Sequence, residues 1–372
     1  MPRPTDPPEV ALGHDYLLVM RGAERVFVEI ADIWPDAPIH TLLHDEHDPM
    51  LRERLAGRQI EVSPLQRLGV RQGGFRALLP LYPLAADRMR IDATGVLVTD
   101  SSAFAIGFRP PPGVPHVCYC HSPFRYAWHA REQALLEQPR ALRPLVGAIL
   151  DRIGRWELRA ASRVTHLVTN SEYGRRMIAD LYHREAEVIH APVDIDRFTP
   201  GPRGERLLVI GEITRHKRTE VAIEAAVTAS IPITVVGDGP DRAELENRYG
   251  DRGLVEFAGR IEDGELATMI SAARAVVVPS TEEFGIVAVE AQAAGKPVLA
   301  LGAGGATETV VDGETGILVD RPDPALFAAA LRSGELDELD ERRCRANAER
   351  FSAEVFKARF AASVERVTAG ST

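Results

Sequence analysis

Lysine is almost absent from this chain, standing only at 217, 296 and 357, so its basicity rests nearly wholly on arginine. Cysteine is scarce too, with only Cys118, Cys120 and Cys344. That is too few soft ligands for a zinc site, and no metal is expected. Cys118 and Cys120 alternate along an apparent strand, which suits reduced, partly buried thiols in a cytosolic protein. Aromatic residues make up only 6%. No apolar run approaches the ~18 residues of a membrane-spanning helix. The opening Met1-Pro2-Arg3-Pro4-Thr5-Asp6-Pro7-Pro8 has no apolar core of a secretory leader, so a cytoplasmic location is expected. Positive charge is not in surplus either. The first 200 residues are nearly neutral, and the acidic remainder accounts for most of the net charge of −10. Nucleic-acid binding is a poor fit to that balance.

What the chain does have is size and alternation. Its 372 residues, 45% hydrophobic with 30 glycines and 26 prolines, can build two core-bearing domains joined from many short connections. Apolar runs at 16–20, 39–43, 95–99, 115–120 and 164–169 read as strands, with a helix at 141–161. After the Pro- and Gly-rich connector around Gly201-Pro202-Arg203-Gly204 the alternation restarts. Strands are expected at 206–211, 233–236, 254–259, 275–278 and 298–300, and helices at 219–229 and 285–294. Asp263 is expected to cap a further helix, and residues 302–308 to form a flexible glycine-rich loop. Residues 339–367 read as a long charged helix. The alternation predicts an α/β protein with an N-terminal domain over 1–198 and a C-terminal domain over 199–350. The segment 351–372 is expected to cross back to the first domain.

Several clusters carry chemistry. Glu282 lies in the loop after the 275–278 strand, and Glu290 stands on the helix that follows. Eight residues at ~100° each leave the two roughly 80° apart even on one helix, so they need not share a face. The amides of Phe284, Gly285, Ile286 and Val287 would head the helix and attract an anion. Arg215 and Lys217, two apart in a turn before a helix, can aim the same way at a diphosphate, or form a solvated basic turn. His121 follows a strand, where ligands gather in open α/β sheets, and is flanked by Pro123, Arg125, Tyr126 and Trp128. Arg21-Gly22 is either a phosphate-approaching glycine turn or a plain tight turn. Gly237-Asp238-Gly239 lacks the third glycine of a dinucleotide fingerprint, because Arg242 stands there and Pro240 intrudes. Gly259-Arg260-Ile261 tips the next strand. Asp194-Ile195-Asp196 is an Asp-x-Asp in a proline-bounded connector, read as structural. The arginine-rich apolar stretch 65–90, with Arg67, Arg71, Arg76, Arg88 and Arg90, suits either a membrane surface or a helix packed on its own domain.

Together these residues resemble a retaining glycosyltransferase of family four. The resemblance is carried by Asn170-Ser171, Pro192-Val193-Asp194 with Arg197-Phe198, Lys217-Arg218, Gly237-Asp238-Gly239-Pro240, Gly259-Arg260 and the 282–297 block. Gly304-Gly305, Glu308-Thr309 and Asp312-Gly313 extend it. It implies the GT-B fold, two Rossmann-like domains facing across a cleft that holds a nucleotide-sugar substrate, with no cofactor or metal. In that light His121 and Glu282 act at the reacting sugar. Arg215, Lys217 and the 284–287 amides meet the diphosphate, and Glu290 meets the ribose. Gly237, Arg260 and Ile261 lie near the nucleobase, and Arg21 and Gly22 form the acceptor-side loop. The 121–128 string and the 282–286 block look like the branch of GDP-mannose-dependent mannosyltransferases of polysaccharide assembly. A lipid-linked glycan acceptor and peripheral contact with the inner membrane face follow from that likeness. A UDP-hexose donor with a soluble glycoside acceptor, and a non-catalytic GT-B binding subunit, remain as alternatives. Two positions depart from the family's pattern: Arg21 stands where a glycine is common, and Glu212 where an arginine is common. Arg215 is the expected substitute for that arginine.

Overall fold

The computed structural model of the chain describes residues 9–69, 74–250 and 253–370. Short apolar runs alternating with helices favour parallel pairing, because each return to the same sheet needs a crossover that a helix supplies. The chain divides into two compact units, one running to His190 and taking in Lys357 onward, the other comprising Ala191–Phe356.

In the first unit the strands are β1 (Val10–His14), β2 (Ile39–Thr41), β3 (Ile60–Val62), β4 (Val96–Ser101), β5 (His116–Cys120), β6 (His166–Thr169) and β7 (Glu187–Val188). They lie side by side in the order β3-β2-β1-β4-β5-β6-β7, with every pairing parallel. The second unit holds β8 (Leu207–Ile210), β9 (Ile233–Val236), β10 (Val255–Gly259), β11 (Ala275–Val278), β12 (Val298–Leu301) and β13 (Gly316–Val319). Their order is β10-β9-β8-β11-β12-β13, again all parallel. Both are Rossmann-like sheets, and together they make the GT-B class of α/β fold. Every residue of β4, β5, β11 and β12 is buried, as expected of central parallel strands covered on both faces. Chain order reverses between β1 and β4 in one sheet and between β8 and β11 in the other. Such switch points open a crevice at the carboxyl ends of the strands.

Several elements depart from expectation. The first strand is Val10–His14 rather than 16–20. Leu17 and Leu18 are as buried as a strand would be, but Leu17 makes only an isolated bridge to His44 and Leu18 lies in a bend, and hydropathy does not separate the two cases. The 65–90 stretch is no single amphipathic helix. Among the described residues it holds two 3-10 turns, Pro64–Leu68 and Phe75–Leu78, and one short helix, Tyr82–Asp87, punctuated by Gly69, Gly74 and Pro80. Arg71 lies outside the described residues. The 302–308 loop contains the short helix Ala306–Thr309, and the charged C-terminal run is two helices, Glu341–Glu349 and Ala353–Ala369. Asp263 is the first helical residue after an extended Glu262 cap. Cys118 and Cys120 are wholly buried rather than partly so.

The domain boundary falls at 190/191 rather than 198/199, and the returning segment starts at 357 rather than 351. Hydrogen bonds explain the first shift. Val193 N donates to Phe351 O at 2.8 Å, and Arg345 Nη1 reaches the carbonyls of Ile195 at 2.7 Å and Phe198 at 3.1 Å. The connector is thereby stitched into the second unit. The returning segment is tied to the first by Lys357–Glu29 at 3.2 Å and by Ser363 and Arg366 on Glu187 at 2.6 and 2.8 Å.

One buried carboxylate secures the loop that follows β5. Glu157, on the helix Arg143–Ala161, accepts hydrogen bonds from Phe124 N (2.7 Å), Trp128 Nε1 (2.6 Å) and Tyr182 Oη (2.6 Å). Burial outweighs these three donors and pushes its carboxyl up to about 7. A carboxyl raised in the fold contributes stability that is complete below its unfolded value of 4.5 and lost as pH rises through about 7. The expected loss across that window is about 3 kcal/mol. Urea titrations from pH 4 to 8 should show a steeper decline for wild type than for Glu157→Gln, which carries no titrating group there. Equal slopes would refute it.

Candidate functional site

In the second unit the adjacency of β8 and β11 brings two of the expected residues together. Lys217 ends the 3-10 turn Arg215–Lys217 that follows β8, and Glu282 lies in the loop after β11. Lys217 Nζ donates to Glu282 Oε2 at 2.5 Å, while Ser280 Oγ donates to Glu282 Oε1 at 2.5 Å. Arg215, two residues earlier, is exposed, and so is Glu212. The Glu282 backbone is clamped from the other side. Gly305 N donates to Glu282 O at 2.8 Å, and a β-carbon at Gly305 would sit 2.2 Å from Phe284 O. Only glycine permits that approach.

Phe284 is buried against Phe351, with ring centroids 5.6 Å apart, and anchors the start of the helix Ile286–Ala293. Gly285 caps this helix at φ 92°, a left-handed conformation that a side chain would strain. The N–H groups of Ile286 and Val287 therefore head a helix, where no carbonyl of the same helix is available to them. They follow Glu282 by four and five residues, at a helix start of the kind suited to an anion. Glu290 lies a turn further on and only 8% exposed. Its Oε1 accepts from Arg197 Nη2 at 2.6 Å, while Arg197 Nη1 reaches Asp263 Oδ2 at 3.1 Å. Arg197 stands in the matched motif, but its pairing with Glu290 depends on tertiary folding across 93 positions.

The expected nucleobase residues form a separate group at the ends of β8, β9 and β10. Gly237 N donates to Gly259 O at 2.8 Å, and Gly211 N donates to Val236 O at 3.0 Å. Arg260 is exposed and Ile261 half-buried just beyond. Asp196 is paired with Arg345 at 3.3 Å and otherwise exposed, so the Asp-x-Asp connector is a surface turn.

In the first unit His121 follows β5 with its Nε2 2.6 Å from Asp100 Oδ1. The other oxygen of Asp100 lies 2.9 Å from His14 Nδ1. Neither His14 nor Asp100 was singled out from sequence. The available signal was a charged residue closing an otherwise apolar strand. Arg21 caps the helix Gly22–Ile33, and its N–H donates to Glu24 Oε2 at 3.1 Å. Arg21 is exposed and Gly22 opens the helix with ordinary backbone angles, so this loop is a helix cap in form.

Comparison with known proteins defines the class. The Glycosyltransferase Family 4 model matches residues 20–197, and the Glycosyl transferases group 1 model matches residues 194–351. The chain thus carries the two family domains of a GT-B glycosyltransferase. Among individual proteins, it is 34% identical over 213 residues to a D-inositol 3-phosphate glycosyltransferase of Frankia alni, covering 48% of this chain and 52% of that one. A protein of the same description from Mycolicibacterium gilvum is 31% identical over 209 residues, covering 50% and 47%. The chain spans about half the length of the curated relatives it matches. Among solved structures it is similar to Anabaena Alr3699/HepE in complex with UDP-glucose, with a TM-score of 0.70, 19% identity and coverage of 96% and 99%. It is also similar to sucrose-phosphate synthase (tll1590) from Thermosynechococcus elongatus, with a TM-score of 0.72, 17% identity and coverage of 97% and 100%. At those identities the likeness is one of fold.

Removing Arg197 would take its guanidinium partner from Glu290, a largely buried carboxylate. Arg197→Met should cost about 3 kcal/mol in chemical denaturation. A loss below about 0.5 kcal/mol would show that the pair is mere surface charge.

Proposed function

We propose that the protein is a retaining glycosyltransferase that moves a hexose from a nucleotide-sugar to a glycan acceptor. The observation that carries this reading is the Lys217–Glu282 pair beside the glycine-capped start of the helix Ile286–Ala293. A nucleoside diphosphate needs cations and amide donors, and a sugar needs a carboxylate that accepts from hydroxyls. Lys217, with Arg215 in the place of the family's arginine, takes the diphosphate. Glu282 then exchanges its bond to Lys217 for the sugar hydroxyls, and Glu290 with Arg197 serves the ribose. Gly237, Arg260 and Ile261 border the base.

In the reaction the bond from C1 to the leaving phosphate oxygen breaks as the acceptor oxygen bonds to C1 on the same face. The acceptor's proton passes to the departing diphosphate, giving a glycoside and a nucleoside diphosphate. Lys217 and the helix amides offset the charge that develops on the leaving group. His121, on the first unit, serves the reacting sugar. No protein nucleophile and no metal takes part in this scheme.

GDP-mannose is the leading donor, supported by the His121–Trp128 string and its likeness to mannosyltransferases. The matching acceptor is a lipid-linked glycan met by the arginine-rich 65–90 stretch at a membrane surface. The contact proposed is peripheral; no helix among the described residues is long and apolar enough to cross a membrane. A second reading is favoured by the relatives: a UDP-hexose donor, as bound by the Anabaena protein, with a small polyol phosphate acceptor, as named for the inositol phosphate transferases.

A thermal-shift panel of GDP-mannose, UDP-glucose, ADP-glucose and dTDP-glucose separates the donors. A ligand at about 100 times its Kd stabilises the fold by about 2.7 kcal/mol, a shift of several degrees. Stabilisation by none of the four would refute the transferase reading. Lys217→Ala is expected to weaken donor binding about tenfold or more, and Arg215→Ala severalfold. Wild-type donor KM in Arg215→Ala would remove that residue from the site. Flotation on anionic liposomes addresses the acceptor: failure to bind favours the soluble polyol phosphate.

A further inference from the structure

Asp100 closes β4 with a wholly buried carboxylate, touching histidines from the strands on either side. His14 ends β1 and His121 follows β5. The contacts are 2.9 Å from Asp100 Oδ2 to His14 Nδ1 and 2.6 Å from Asp100 Oδ1 to His121 Nε2. Beyond His14 stands Glu24, whose Oε1 is 4.0 Å from His14 Nε2. The other oxygen of Glu24 accepts the N–H of Arg21. Carboxyl groups and imidazoles therefore alternate through Glu24, His14, Asp100 and His121, from the first turn of the helix Gly22–Ile33 to the residue after β5. Burying such an array is a weak route to stability, because desolvation offsets most of the attraction. Its arrangement suits the control of one ring better than the strengthening of a core.

We propose that Asp100 and His14 are positioning residues for His121: the Asp100 carboxylate, steered by His14, fixes Nε2 of His121 and keeps that ring cationic with Nδ1–H available to substrate oxygen. This rests on the transferase reading above, in which His121 serves the reacting sugar. A fixed cation can offset negative charge that develops on a reacting group without reorganising during the reaction.

The electrostatics agree with the geometry. Burial pulls both histidines down, yet Asp100 and Glu24 raise His14 to about 10, and Asp100 raises His121. Burial alone would lift the Asp100 carboxyl, but the two histidines hold it below its ordinary value. The charged groups facing His121 are Asp100, His14 and Asp15; those facing His14 are Asp100 and Glu24. Asp15 is occupied by Ser101 Oγ, Ser102 N, Ser102 Oγ, Phe104 N and Ala105 N at 2.6–3.2 Å. The rings are held by packing as well, with His14 stacked on Phe27 at 4.7 Å and His121 edge-on to Tyr119 at 5.3 Å. His121 keeps 13% of its side chain exposed, so it can still be reached.

The test follows the His121 Cε1–H resonance by NMR over about pH 5 to 10, beside the pH profile of kcat with the donor selected by the thermal-shift panel. Asp100→Asn removes the anion, so the His121 midpoint should fall by about one unit or more. With it kcat at pH 8 should fall about tenfold or more, while donor KM stays within about threefold. His14→Gln removes a competing cation but leaves the anion, so the midpoint should rise and the basic limb of kcat should rise with it. A purely structural role gives no such opposite signs. Should Asp100→Asn fail to fold by circular dichroism, His14→Gln and Glu24→Gln carry the test, the latter lowering the His14 midpoint. His121 midpoints unmoved in the folded variants overturn the proposal, whether or not sugar is transferred. Midpoints that move while the basic limb of kcat does not overturn the positioning role. Midpoints that move in a protein that transfers no sugar refute the transferase reading and leave the charge coupling established.

Discussion

The constraint on which the rest depends is that central parallel strands are buried on both faces. A charge inside such a strand has no water to turn to, so it must sit at a strand end and meet an opposite charge there. The chain obeys this in both units. Asp100 is the penultimate residue of β4, and His14 the last of β1. Lys217 and Glu282 lie just past β8 and β11. Because chain order reverses between β1 and β4 and between β8 and β11, these ends are the ones not crowded by a crossover. The same geometry that makes the core apolar therefore gathers the polar groups.

The two units hold their polar groups by different means. The first uses side chains: Asp100 touches both His14 and His121, and Glu157 secures the loop between Phe124 and Trp128. The second uses backbone. Gly305 presses against Phe284, Gly285 adopts a left-handed cap, and the loop bearing Glu282 is pinned at Gly305 N. Lys217 meets Glu282 at 2.5 Å there and keeps 30% of its side chain exposed.

Much of the second unit was legible in sequence. The strand Ala275–Val278 and the helix start at Gly285 were readable locally, because Pro279, Gly285 and Gly295 punctuate them. The first unit was less so. Residues 16–20 look more like a strand than 10–14, since Gly13 and His14 interrupt the apolar run. Gly13 is there because the Phe108 ring would lie 2.7 Å from any β-carbon, a contact from almost a hundred residues away. The arginine-rich 65–90 stretch has the composition of an amphipathic helix but too many glycines and prolines to keep one going.

By itself the sequence determined the alternation of strand and helix, the number of sheets, and the residue types present at each strand end. Those follow from local chemistry: β-branched runs, helix caps, and the backbone needs of glycine and proline. Tertiary structure alone decided which strand ends are neighbours, and so which charges meet. Asp100 faces two histidines because β4 lies between β1 and β5, and Glu290 takes Arg197 from a connector distant in sequence. Periodicity carries no record of strand order, and a buried charge finds its partner only once the sheet has closed around it.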